Sequence, residues 1–231
     1  MKNNNIFVVL MLSASIIFAG CSSLNNTAKG GLIGTGAGAA LGAGVGMLIG
    51  KDAKSAAIGA AVGTAVGATT GAIIGKQMDK AAERAAAIEG AKVESITDAN
   101  DLQAVKVTFD SGILFATNKS TLNAASQDAL TKFAKVLVDN PTMDVAIYGH
   151  TDNTGSLEVN QRLSKERAQS VADFLISKNA ASSQIKEVVG KDFSEPVADN
   201  ATKAGQAANR RVEVYLYASK AMIEAAEAEA K

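Results

Sequence analysis

The chain has 231 residues, room for one or two domains, and balances 23 Lys and Arg against 23 Asp and Glu, a formal net charge of zero. That balance leaves no basic footprint for nucleic acid, and with no Trp and 4% aromatic residues, platforms for stacking bases or sugars are scarce. A single cysteine excludes an intramolecular disulfide, and with a single histidine there is no metal-ligating cluster, so neither metal nor cofactor is expected.

Residues 1–20 read as a signal peptide: Lys2 supplies a charged start, Ile6 to Phe18 is apolar, and small residues lead to Cys21. The apolar run is too short for a typical spanning helix. Phe18-Ala19-Gly20-Cys21 resembles a bacterial lipobox, with Phe where Leu is more usual. That resemblance implies a lipid-modified Cys21 at the start of the mature chain. Ser22 in place of Asp implies sorting to the outer membrane, with the remainder of the chain facing the periplasm. Several acyl chains at about 0.8 kcal/mol per buried CH₂ make a durable anchor in outer-membrane lipid. A plain signal peptide, or a buried free thiol at Cys21, is the alternative.

After a short linker, 21–29, glycine recurs every fourth residue. Gly30, Gly34, Gly38, Gly42, Gly46 and Gly50 form one block; after a polar break at Lys51 to Ser55, Gly59, Gly63, Gly67, Gly71 and Gly75 form another. As a helix, each uncharged block measures roughly 30 Å, the thickness of a bilayer's hydrocarbon core. In water, five or six interior glycines cost roughly 5 kcal/mol with little side-chain surface to offset it. In lipid the backbone bonds to itself, and glycine rows let helices approach closely. Residues 30–76 are therefore expected to form a glycine-zipper helical hairpin in or on a membrane, self-packed or as a homo-oligomer. A flexible tether is the bland reading, but a tether needs glycine without a phase.

Residues 77–103 are expected to be a solvated helical stalk and a connecting hairpin. The charged, Ala-rich run Lys76 to Gly90 extends the second zipper helix. Val93 to Thr97 and Ala104 to Phe109 then alternate as strands, joined by Asp98-Ala99-Asn100-Asp101. Residues 104–217 give an α/β sandwich of βαβαββ order. Ser120 or Thr121 caps a helix running to Asp139, with Leu122, Leu130, Phe133 and Leu137 inward, and Asn140-Pro141 ends it. Met143 to His150 is a strand, and a helix from about Leu157 to Lys178 follows. Ile185 to Val189 and Arg211 to Tyr217 are further strands, separated by the polar stretch Ser194 to Ala208. Residues 218–231 are an Ala/Glu helix or a frayed tail.

One position in the second helix stands out. At 100° per residue, Leu163, Arg167, Val171, Phe174 and Leu175 share a face, so Arg167 sits inside an apolar stripe. A guanidinium does not shed its proton, and a buried one needs an anion and acceptors. Asp152, in the turn that closes the preceding strand, is the expected partner, at the kind of strand end where α/β sheets place ligand sites. The pair is either a structural salt bridge or a receptor for a zwitterion, Arg167 taking a carboxylate and Asp152 an ammonium.

The stretch Gly149-His150-Thr151-Asp152-x-x-Gly155-Ser156, then Asn160, then Leu163-Ser164-x-x-Arg167-Ala168 resembles the signature of OmpA-like peptidoglycan-binding domains. Phe109 to Leu122 is similar to that family's first strand and loop, and Asn209-Arg210-Arg211-Val212-Glu213 to its closing strand. The resemblance implies that Asp152 and Arg167 clasp the free amino-acid end of diaminopimelate in a peptidoglycan stem peptide, with Asn160 and Thr151 in accessory positions. Gly190-Lys191-Asp192-Phe193 departs from the family's usual G-Y-G-E, which puts the pocket rim in question. His150 has no nucleophile placed beside it by a recognisable motif, and is expected to line the pocket or cap the strand. No acid pair suited to glycoside cleavage emerges among Asp144, Asp152 and Asp173, so no catalysis is expected. The leading expectation is a clamp between membrane and wall. The second is a zipper-driven oligomer or pore that the wall-binding domain merely positions.

Overall fold

The computed structural model describes residues 66–116 and 118–231. Cys21 and the zipper glycines Gly34, Gly38, Gly42, Gly46, Gly59 and Gly63 lie outside the described residues. The elements in chain order are α1 (Ala68–Ala86), β1 (Ala91–Thr97), β2 (Gln103–Asp110), α2 (Ser111–Leu114), α3 (Ala124–Val138), β3 (Met143–Gly149), α4 (Leu157–Ser177), a 3₁₀ turn (Ser182–Gln184), β4 (Ile185–Gly190), α5 (Lys203–Asn209), β5 (Arg211–Ala218) and α6 (Lys220–Glu229).

The strands form one mixed sheet in the order β1-β2-β5-β3-β4. Only β3 and β4 run parallel, and α4 is the crossover that a parallel pair requires. Strand alternation divides the interior. Val105, Val107, Phe109, Val145, Ile147, Val212, Val214 and Leu216 face a core shared with α1, α3, α4 and α6, while Ala104, Ala146, Tyr148, Tyr215 and Tyr217 form a smaller cluster on the opposite face. Phe109 and Phe133 meet edge-on at 5.7 Å within the main core. This is the α/β arrangement expected from the sequence, with β1 added ahead of the βαβαββ order.

Three expectations need correction. The solvated stalk is instead α1, part of the domain: Ile74, Met78, Ala81 and Ala85 are fully buried, and the helix packs on β1, β2 and α6. Gly71 lies on this buried face, so in the described structure it packs against the domain; Gly67 occupies the N-cap. Among the described residues no helix is long and apolar enough to cross a membrane. Second, Asn123 caps α3, accepting from Ser126 N at 2.9 Å, whereas Leu122 bridges back to Phe115 and pins the intervening loop. Third, the polar stretch after β4 contains α5, which Thr202 caps through Gly205 N at 2.9 Å. Of the two forms expected for residues 218–231, the helix is the one found: Ser219 caps α6, and Met222, Ile223 and Ala226 are buried.

The buried stripe of α4 also differs. Its inward residues are Asn160, Ser164, Arg167, Ala168, Val171, Ala172 and Leu175, with Leu163 and Phe174 only half-buried. Close packing selects small side chains here. A Cβ on Gly149 would strike the Ser164 carbonyl, and one on Gly190 would come within 2.5 Å of Lys165 N and Ser164 Oγ. Helix α4 therefore lies directly on the ends of β3 and β4, which fixes the height at which Arg167 meets the turn after β3.

Candidate functional site

The turn after β3 is held from several sides. Thr151 N donates to Asp192 O at 2.8 Å, and Asp152 Oδ1 accepts from Thr154 N at 2.8 Å, closing an Asx turn. Asn160, buried in the first turns of α4, donates from Nδ2 to Thr154 O at 2.9 Å and Ser156 O at 3.2 Å. Its role here is to brace the turn. Ser156 caps α4 through Val159 N.

Arg167 is 3% exposed. Its Nε donates to Lys119 O at 3.1 Å, and its guanidinium carbon lies 5.3 Å from the centre of the Phe115 ring. Among the described residues, no carboxylate comes within ion-pair distance of it. The expected direct pairing with Asp152 is therefore replaced: Asp152 Oδ2 accepts from Arg210 Nη1 at 2.5 Å. Sheet order explains the substitution. Strand β5 lies beside β3 and antiparallel to it, with Gly149 opposite Val212, so the residues just before β5 reach the turn just after β3.

The charges follow from this geometry. Burial works against ionisation of Asp152, but the bonds from Arg210 and Thr154 outweigh it and hold the carboxyl below its usual value. Burial, and then the charge of Arg210, lower the Arg167 guanidinium from its usual value, with Asp152 opposing. A guanidinium stays protonated throughout the physiological range.

Thr151, Asp152, Asn160 and Arg167 all line one cleft of about 470 Å³, a size suited to a small ligand. The structure thus brings the four residues expected from the sequence into a single site. Sequence reasoning missed Arg210, Lys203 and Gln206 as further lining residues. The signal for Arg210 was present in Asn209-Arg210-Arg211, where adjacent residues in an extended chain point to opposite sides. Asn209 Oδ1 accepts from Val197 N and Ala198 N and so locks the preceding loop. Arg211 turns away from the cleft to Glu213, at 2.8 Å, and to the carbonyls of Asn209 and Glu195.

His150 does not line this cleft. It is fully buried behind the turn, with Nε2 3.4 Å from Glu213 Oε2. Burial opposes ionisation of Glu213, but His150, Arg211 and the Tyr215 hydroxyl together hold its carboxyl well below the usual range. The segment Gly190 to Phe193 contributes no residue to the cleft lining. Lys191 instead sits over the Tyr148 ring at 4.9 Å and pairs with Glu195 at 3.7 Å, while the Asp192 backbone supports Thr151. The departure from the family pattern therefore lies behind the site. Among the described residues no group of His, Cys, Asp and Glu has the arrangement of a metal site.

Residues 114–210 match the OmpA family model, and residues 1–79 match the YMGG-like Gly-zipper model. Residues 114–210 are similar to the OmpA family. Over 104 residues the chain is 43% identical to the outer-membrane lipoprotein YfiB of Pseudomonas aeruginosa, covering 45% of this chain and 61% of that protein. Over 115 residues it is 40% identical to the peptidoglycan-binding protein ArfA of Mycobacterium bovis, covering 49% of this chain and 35% of the other. The chain thus spans less than two thirds of either relative. Among solved structures, the cell wall anchor of the T6SS from Pseudomonas aeruginosa superposes with a TM-score of 0.52 at 29% identity, over 62% of this chain and 97% of that one. This likeness reaches beyond the OmpA family match, in keeping with a domain whose β2 and β5 both lie outside residues 114–210.

Proposed function

We propose that this protein is a non-catalytic outer-membrane lipoprotein that anchors the membrane to peptidoglycan. Asp152 and Arg167 clasp the zwitterionic diaminopimelate end of a stem peptide, Arg167 taking its carboxylate and Asp152 its ammonium. The observation that carries this reading is Arg167 itself: a buried guanidinium in a cleft, without a carboxylate partner among the described residues, beside a carboxylate held in its charged form. Such a cation favours an anion brought by a ligand. Asn160 and Thr151 hold the Asp152 turn in place, and the Thr151 hydroxyl, buried with no protein partner among the described residues, is a further group for the ligand.

The relatives named as an outer-membrane lipoprotein and a peptidoglycan-binding protein support the two ends of this link. At the membrane end, Cys21 carries the lipid, the domain faces the periplasm, and the Gly-zipper segment packs helices within or against the outer membrane. Co-sedimentation with purified sacculi tests the wall end. Asp152→Ala and Arg167→Ala are each expected to weaken binding by on the order of tenfold or more, because each strands an opposite charge of the ligand. Sedimentation of both variants at the wild-type level would overturn the clasp.

A further inference from the structure

The charged groups of the cleft do not balance. Arg167, Lys203 and Arg210 line it against one carboxylate, Asp152. A zwitterionic end brings one charge of each sign and leaves the excess of cations unchanged.

Two of these cations, Lys203 at the start of α5 and Arg210 just after its last residue, make contacts a ligand can displace. Arg210 is half-exposed and is the ion partner of Asp152, the group that the ligand's ammonium would take. Lys203 is exposed and, among the described residues, its ammonium hydrogen-bonds only to the Gln206 amide oxygen, at a long 3.4 Å. An arriving ammonium on Asp152 releases Arg210, which then lines the same cleft as Lys203 without its carboxylate partner. The cleft, at about 470 Å³, has room for more than the end group of one amino acid.

We propose that Arg210 and Lys203 form a second carboxylate subsite, so that the cleft selects stem peptides by their free carboxylates, including that of the γ-linked glutamyl residue neighbouring diaminopimelate. This rests on the clasp of the diaminopimelate end by Asp152 and Arg167. Arg210 changes partner on binding, from Asp152 to the ligand's second carboxylate, so the one ion pair broken is replaced by two, Asp152 with the ammonium and Arg210 with the carboxylate. Amidation of the glutamyl carboxyl removes the second anion and leaves the zwitterionic end intact.

Calorimetric titration of the full-length protein in detergent micelles with synthetic Ala-γ-Glu-diaminopimelyl-Ala tetrapeptides tests this. Three forms are compared: unmodified, amidated at the glutamyl carboxyl, and amidated at the free diaminopimelate carboxyl. Glutamyl amidation is expected to weaken binding about fivefold, the scale of a partly exposed ion pair. Lys203→Gln, an exposed change, and Arg210→Gln should each reduce that discrimination, while the diaminopimelate-amidated form should bind far more weakly to wild type. Equal affinity of wild type for the unmodified and glutamyl-amidated peptides would overturn the subsite and leave the clasp standing. Equal affinity for the diaminopimelate-amidated form, or no binding of any form, would remove the clasp and the subsite with it.

Discussion

At the scale of single residues, this domain uses buried charge in two opposite ways. Asp152 is kept ionised by its partners, whereas Asp98 is pushed towards its neutral form. Asp98 closes the β1–β2 turn with Oδ1 accepting from Asn100 N at 2.8 Å and Leu102 N at 2.9 Å, yet it is 1% exposed. Burial outweighs those bonds and raises its carboxyl from 3.8 to about 6. Between about pH 4 and 6 the folded protein holds a proton that the unfolded chain has lost, so stability falls as pH rises through that window. Asp98→Asn keeps the Oδ1 acceptor and removes the charge. Its expected effect is a gain of about 1–2 kcal/mol at pH 8 that shrinks towards zero near pH 4. Urea unfolding at the two pH values checks it; a variant less stable than wild type at pH 8 would contradict the burial argument.

At the scale of elements, α1 carries the clearest prediction. Ile74, Met78, Ala81, Ala85 and Ile88 are spaced four, three, four and three apart, and all five are buried. Truncating Met78 to Ala in the portion from Val66 onward should cost about 2–4 kcal/mol in urea unfolding, where a solvated stalk would show almost none. A Gly149→Ala change acts at a second interface. Its new methyl group meets the Ser164 carbonyl, so either α4 shifts or stability falls by about 1–3 kcal/mol, and wall binding should weaken with it because Arg167 rides on α4. Wild-type stability together with wild-type sacculus binding would show that the contact between helix and strand end yields freely.

The same elements mark what could be read in the sequence. Alternation located the strands, since their side chains divide between two faces, and the turn-and-helix pattern located Thr151, Asp152, Asn160 and Arg167. The stripe of α1 was present but built largely of alanine amid charge, so composition suggested solvent where spacing pointed to burial. Helix α5 has seven residues and no apolar stripe, leaving little for periodicity to detect. The ion partner of Asp152 was hidden for a topological reason. Arg210 lies 58 positions away and reaches the turn only because β5 inserts between β2 and β3. A helical wheel relates Arg167 to its own helix and carries no information about which strand lies next door.

At the scale of the whole molecule, the proposed link has two ends that should fail independently. In that proposal Cys21 and the Gly-zipper segment form the membrane end, and Asp152 and Arg167 the wall end. Helix α1 joins them, beginning next to Gly67, within the residues that match the Gly-zipper model, and ending packed in the domain core. A core-packed helix carries load between the ends with less slack than a flexible tether of the same length. Cell fractionation separates the two failures. Cys21→Ser should leave the outer-membrane fraction yet still sediment with sacculi, because the cleft is untouched. Arg167→Ala should stay in the outer-membrane fraction and lose the sacculi, because the acyl chains proposed on Cys21 would hold the membrane end without help from the wall. The double variant should be recovered from neither. If Cys21→Ser alone also abolished sacculus binding, the two ends would be coupled, and the wall end would depend on concentration at the membrane surface in addition to the affinity of the cleft.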